Sequence, residues 1–120
     1  MNTPQALVLI VEGVEELEAV APIDCLRRAG VEVRVASASP ARKVTGRNGI
    51  VLEADCALED CLEAAYDLVV VPGGPGHKTL AEDPRVLDLL RRHAGQSGRI
   101  GSICAGPVVL DRAVLLQGRT

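Results

Sequence analysis

In the stretch RIGSICAGPVVL, residues 99–110, an apolar run that reads as a strand delivers a thiol, Cys104, to a hinge. Ala105 and Gly106 follow with almost no side chain, and Pro107 opens what reads as a helix. Ser102-x-Cys104-x-Gly106 has the spacing of a nucleophile elbow with cysteine in the place of serine. Such a turn presents its side chain at the top of a sheet, and it needs small neighbours because the backbone folds sharply there. The N-terminus of the following helix carries partial positive charge, which favours thiolate, the nucleophilic form. The plain alternative is a buried structural cysteine.

Two other strand ends carry polar groups. After the apolar run at 6–11 comes EGVEELEAV, with Glu12, Glu15, Glu16 and Glu18. Acids at a helix start suit the macrodipole, which accounts for Glu15 and Glu16. Glu18 shares a helical face with Pro22, Cys25 and Ala29, a face that is not polar, so a partly desolvated carboxyl able to move a proton is expected there. After DLVVVP comes GGPGHKT. It falls short of a phosphate-binding loop because His77 separates Gly76 from Lys78 and Pro75 removes an amide. Gly73 and Gly74 read instead as exposed backbone whose N–H groups approach a ligand, as an oxyanion site requires; a plain loop is the bland reading.

Strands and helices must hold these groups. Strands are expected at 6–11, 31–38, near 50–52, at 67–72 and at 99–104, and helices at 15–29, 58–65, 84–93 and 107–113. Pro22 should bend or break the first helix, and Gly30 should end it. Ala19, Val20, Ile23 and Leu26 are expected on its inner face, and Val86, Leu87 and Leu90 on that of the helix at 84–93. Alternating strands and helices imply a parallel sheet covered on both faces, with ligands outside the carboxyl ends of its strands. The 120 residues suffice for one domain. Having no Phe or Trp and one Tyr, its core must be aliphatic. A net charge of -3 disfavours nucleic acid and anionic membranes as partners. No apolar run is long enough to span a bilayer, and MNTPQ has no basic region of a signal peptide. The four cysteines, Cys25, Cys56, Cys61 and Cys104, form no C-x-x-C pair and read as reduced thiols in a cytoplasmic protein, with Cys25 and Cys61 as small buried hydrophobes. Cys56 and Cys61 lack the spacing and further ligands of a zinc site.

Together, ALVLIVEGVEELEAV with Glu18, LVVVPGG with Gly73 and Gly74, and SICAGP with Cys104 make the chain similar to the ThiJ/PfpI superfamily, the family of the parkinsonism-associated deglycase. The resemblance covers the whole chain, which reads as the N-terminal part of one such domain over 1–120. It implies an α/β fold of the class I glutamine amidotransferase-like kind: a flavodoxin-like three-layer sandwich with a mostly parallel sheet and a nucleophile elbow. It further implies a reactive Cys104 hydrogen-bonded to a protonated Glu18, and an oxyanion pocket from the amides of Gly74 and Ala105 beside Gly73. Arg28 and Arg47 match basic positions near the family's pocket. Family activities include glyoxalase, deglycase, amidase or protease, and redox-sensing chaperone, and members are usually homodimers. Family members carry a histidine further along, which His77 and His93 do not match. The chain is therefore expected to need a complementary C-terminal piece or tight self-association.

The first functional expectation is an enzyme acting on small carbonyl compounds without metal or organic cofactor, with Cys104 as nucleophile and Glu18 as proton shuttle. The second is a stress sensor or chaperone that works through oxidation of Cys104. An amidase or protease is the third, and it needs the missing histidine. A response-regulator receiver domain also places acids after its first strand, but its fifth strand would end in Lys rather than Cys.

Overall fold

Every side chain of ALVLIV is apolar, so the segment has to be covered on both faces. In the computed structural model, which describes residues 3–95 and 99–102, it lies at the centre of the sheet. The elements run β1 (Gln5–Ile10), α1 (Glu16–Arg28), β2 (Glu32–Ser37), β3 (Lys43–Thr45), β4 (Val51–Glu53), β5 (Cys56–Ala57), a 3-10 turn (Leu58–Cys61), β6 (Leu68–Val71), α2 (His77–Glu82), α3 (Pro84–Gly95) and β7 (Arg99–Ser102). Among the described residues, five strands form one sheet in the order β5-β2-β1-β6-β7, and every neighbouring pair is parallel. β3 and β4 form a separate antiparallel hairpin.

The alternation along β1 divides the core. Leu7, Leu9 and Val11 pack with Leu58, Val69, Val71, Leu80, Val86 and Leu90, under the 3-10 turn, α2 and α3. Val8 and Ile10 pack on the other face with Val14, Ala19, Val35, Val44 and Val70, under α1 and the hairpin. The result is the expected flavodoxin-like three-layer arrangement, with an aliphatic core.

Local chemistry sets the helix ends. Gly30, at φ +87°, lies just beyond α1. Its N–H donates to the Arg27 carbonyl at 3.1 Å, and the Val31 N–H donates to the Leu26 carbonyl at 3.0 Å. This paired closure requires a left-handed residue. At the start of α3, the Asp83 carboxylate accepts the Arg85 N–H at 2.9 Å, and Pro84 takes the position where a missing N–H costs nothing. The Arg85 guanidinium returns to Asp83 at 2.8 Å and reaches Glu59 at 3.1 Å and the Ala38 carbonyl at 3.2 Å, tying α3 to the 3-10 turn and the end of β2. Burial pushes the Asp83 carboxyl up, but the hydrogen bonds and charge of Arg85 outweigh it and hold it below its ordinary value.

Several expectations are corrected. α1 continues unbroken through Pro22. Ala19 is buried and Ile23 and Leu26 pack beside it, but Val20 is 42% exposed, off the inner face. The helix expected at 58–65 is a single 3-10 turn, and residues 77–79, the end of the stretch expected as exposed backbone or plain loop, open a short helix over 77–82. Cys61 is buried as expected, but Cys25 is exposed on α1. Cys56 and Cys61 are joined as a disulfide rather than being free thiols, with α-carbons 7.2 Å apart. The nucleophile elbow and the helix expected at 107–113 lie outside the described residues. Among the described residues, no helix is long and apolar enough to cross a membrane.

Asp83→Ala removes both the cap of α3 and the partner of Arg85. We expect it to lower the stability of the domain by about 1–2 kcal/mol, read as a shift of the urea midpoint without a change in slope.

Candidate active site

β1 and β6 are adjacent and parallel, and the strand order reverses between them, so the segments that leave them meet where open α/β sheets bind ligands. The meeting is backbone to backbone. The Glu15 N–H donates to the Gly73 carbonyl at 3.0 Å, and the Gly76 N–H donates to the Gly13 carbonyl at 3.2 Å. Gly74 adopts φ +100°, and a Cβ there would lie 2.5 Å from the Glu15 nitrogen and 2.7 Å from the Gly13 oxygen. At Gly76 a Cβ would strike the Glu12 carbonyl. Glycine is what lets the two segments touch.

This contact sets Glu18. It lies in the first turn of α1, half-buried, and its Oε1 accepts the Gly73 N–H at 2.9 Å. The structure therefore joins two of the expected site residues, but it corrects the role of Gly73. The Gly73 amide anchors the Glu18 carboxyl instead of standing open as an oxyanion donor. Gly74 lies beside them, buried in the same turn. The face of α1 that carries Glu18 is less covered than expected, since Cys25 and Ala29 on it are exposed.

A second carboxylate, which sequence reasoning passed over, organises the opposite wall. Glu16 is buried at 3% exposure. Its Oε2 accepts the Asn48 N–H at 2.9 Å and the Ile50 N–H at 3.1 Å, and its Oε1 accepts the Asn48 side-chain amide at 2.8 Å. Gly46 packs directly against this carboxyl, where a side chain would displace it. Glu12 adds a bond from the Thr45 N–H at 3.1 Å, and the Gly13 N–H donates to the Thr45 carbonyl at 2.9 Å. The turn of the β3–β4 hairpin is thereby clamped onto residues 12–16. Burial pushes the Glu16 carboxyl up, but donated hydrogen bonds from its own backbone, Ile50 and Asn48 prevail and hold it below its usual value. The clue in the sequence was the turn GRNG, whose Asn48 brings an amide able to bridge carboxylates.

The two arginines separate. Arg47 rides on the clamped turn, its N–H donating to the Val14 carbonyl at 3.0 Å and its Nε 3.6 Å from Glu15 Oε2. It stands beside the Glu18 segment, half-exposed. Arg28 is the last residue of α1 and pairs with Asp24 at 2.8 Å. Ten residues of helix put it about 15 Å from Glu18 along the axis, so within one chain it does not reach the site. Cys104 and Ala105 lie outside the described residues. The strand that leads to them is described: Ser102, the last residue of β7, is the register partner of Val71, two residues before Gly73. Among the described residues, no group of His, Cys, Asp and Glu could hold a metal ion.

A model of the DJ-1/PfpI family matches residues 4–120. The chain belongs to the DJ-1/PfpI family. Within it, the chain is 40% identical over its full length to the Parkinson disease protein 7 homolog of Danio rerio, of which it spans 65%. It is 40% identical to the glutathione-independent glyoxalase DJR-1.2 of Caenorhabditis elegans, with 88% of this chain and 56% of that protein covered. The solved structure of Toxoplasma gondii DJ-1 in oxidized form superposes with a TM-score of 0.94 at 36% identity, covering 97% of this chain and 64% of that one. The chain thus spans about two thirds or less of these DJ-1/PfpI relatives. The flavodoxin-like α/β fold is shared with them.

The lowered Glu16 value carries a pH dependence. A carboxyl held lower in the folded than in the unfolded state stabilises fully above the unfolded value of about 4.3, and that contribution is lost as pH falls through the folded value. Glu16→Gln should therefore be less stable than the parent at pH 7, and the gap should close as the pH is taken below about 4. Urea midpoints of both proteins between pH 7 and pH 3 provide the check.

Proposed function

We propose that the chain carries the core of a cofactor-independent enzyme acting on small reactive carbonyl compounds, of the glyoxalase or deglycase type. The observation that carries this reading is the Glu18 carboxyl fixed by the Gly73 amide at the carboxyl end of the sheet. It stands one strand from where β7 leads towards Cys104. Cys104 follows Ser102 by two positions, a span of at most about 7 Å, and in this reading its thiol works with Glu18. The name of the nematode relative supports the same class.

In this mechanism the Cys104 thiolate adds to the aldehyde carbon of methylglyoxal, and the carbonyl oxygen takes up a proton to give a hemithioacetal. The oxyanion is held by the amides of Gly74 and Ala105. Glu18 then removes the proton from the former aldehyde carbon and delivers it to the neighbouring ketone carbon through an enediol, leaving a lactoyl thioester. Water cleaves the thioester to lactate and restores the thiol. Arg47, anchored at its backbone to Val14 and half-exposed at its side chain beside Glu15, attracts anionic groups of substrate or product in this reading. We further propose a homodimer. Leu17 and Val20 of α1, with Ile50 and Val51 of the hairpin, are 73%, 42%, 54% and 59% exposed, apolar surface that a second copy would cover.

Lactate formation from methylglyoxal tests the chemistry. Cys104→Ser should abolish it, and Glu18→Gln should lower kcat about 100-fold or more with the fold intact. No lactate from the parent protein, together with peroxide oxidation at Cys104, would overturn the enzymatic reading in favour of the redox one.

A further inference from the structure

We infer that Cys56 and Cys61 form a second redox site, a reversible dithiol–disulfide couple at the edge of the sheet and separate from Cys104. Cys56 lies on β5, the outermost strand, and is half-buried. Cys61 closes the 3-10 turn and is fully buried, and the turn brings its sulfur onto that of Cys56.

Three features fit a couple rather than a permanent cross-link. First, the surroundings satisfy both oxidation states. The Cys56 sulfur lies 3.9 Å from the Val35 carbonyl and the Cys61 sulfur 3.5 Å from the Ala57 carbonyl. A disulfide sulfur has no hydrogen to donate, but each thiol of the open form finds an acceptor already in place, so opening buries no unsatisfied donor. Second, the turn does not depend on the bond for its shape. The buried Tyr66 hydroxyl donates to the Cys61 carbonyl at 3.0 Å, and Leu58 and Cys61 belong to the main core. Third, the two residues differ in burial: Cys56 is half-buried and Cys61 fully buried, so Cys56 is the one of the pair that a small thiol or peroxide meets first.

The chemistry balances with a peroxide as oxidant. The Cys56 thiolate attacks a peroxide oxygen, giving a sulfenic acid and water after proton uptake. The Cys61 thiol then displaces the hydroxyl from that sulfur, giving the disulfide and a second water when hydrogen peroxide is used. In reverse, a dithiol reductant attacks the Cys56 sulfur and releases Cys61 as thiolate, and its second thiol frees Cys56. Because β5 pairs with β2 at only two positions, Ala36–Cys56 and Ser37–Ala57, closing the couple fastens a thinly held edge.

The test uses the full chain with Cys104→Ser, which removes the competing thiol. The protein is reduced with dithiothreitol, freed of it, exposed to hydrogen peroxide, then unfolded and alkylated. We expect Cys56 and Cys61 to escape alkylation on a single peptide lighter by two hydrogens, Cys25 to be alkylated, and dithiothreitol applied to the folded protein to restore alkylation at both positions. Alkylation of both after peroxide would overturn the inference. So would a disulfide that opens only once the protein is unfolded, which would make it a structural bond. Cys61→Ala should convert the outcome at Cys56 from disulfide to sulfenic acid, trapped by dimedone. Failure of dimedone to label Cys56 in that variant would remove the proposed path.

Discussion

Gly74 has no room for a side chain, and the whole carboxyl end of the sheet depends on that. Its left-handed backbone lies against the Glu15 nitrogen and the Gly13 carbonyl, closer than any Cβ allows. The approach lets the Gly73 carbonyl accept the Glu15 N–H, which fixes how α1 starts, and lets the Gly73 N–H donate to Glu18, which fixes where its carboxyl ends. One glycine thus couples the exit of β6 to the entry of α1. A positive φ that only glycine adopts readily is maintained because the parallel strands on either side leave the two segments no other path.

Glu16 and Glu18 show how one helical turn serves two purposes. Residues two apart on a helix do not share a face. Glu16 points to the hairpin, where backbone and side-chain donors saturate it. Glu18 points to the glycine turn, where the bond from Gly73 is described. The first is scaffold, and the second is the one to which the proposed function gives chemistry, although their side chains are identical. Environment, not residue type, divides the roles, as it does wherever paired carboxylates take different parts in catalysis.

The long central strands were readable because continuous apolar runs such as ALVLIV and LVVV have one stable home, a sheet buried on both faces. Gly30 and Pro84 were readable because their conformational demands are local. β3 and β5 were not, since strands of three and two residues show no period. Glu16 looked like an ordinary acid at a helix start because its partners, Asn48 and Ile50, are more than thirty residues away. The Cys56–Cys61 pairing was hidden for a related reason. A spacing of five matches no familiar motif, and only the tight 3-10 turn brings the sulfurs together. Val20 and Cys25 fit an apolar helical face on spacing alone, yet the described chain leaves both exposed, because the sheet beneath α1 is filled by Ala19, Ile23 and Leu26. Arg28 was assigned from resemblance, and its place at the far end of α1 is a matter of helix length that motif matching does not weigh.

Tyr66 is the one aromatic side chain in the 120 residues. It is buried in the main core, with its hydroxyl donated to the Cys61 carbonyl. The protein therefore contains a single ultraviolet fluorophore, undisturbed by tryptophan, seated beside the cysteine pair and between the 3-10 turn and β6. Its emission reports one defined location. Solvent entering the core, loosening of the sheet edge, or a change at the neighbouring sulfurs would each register as a change in tyrosine light, without any label being introduced.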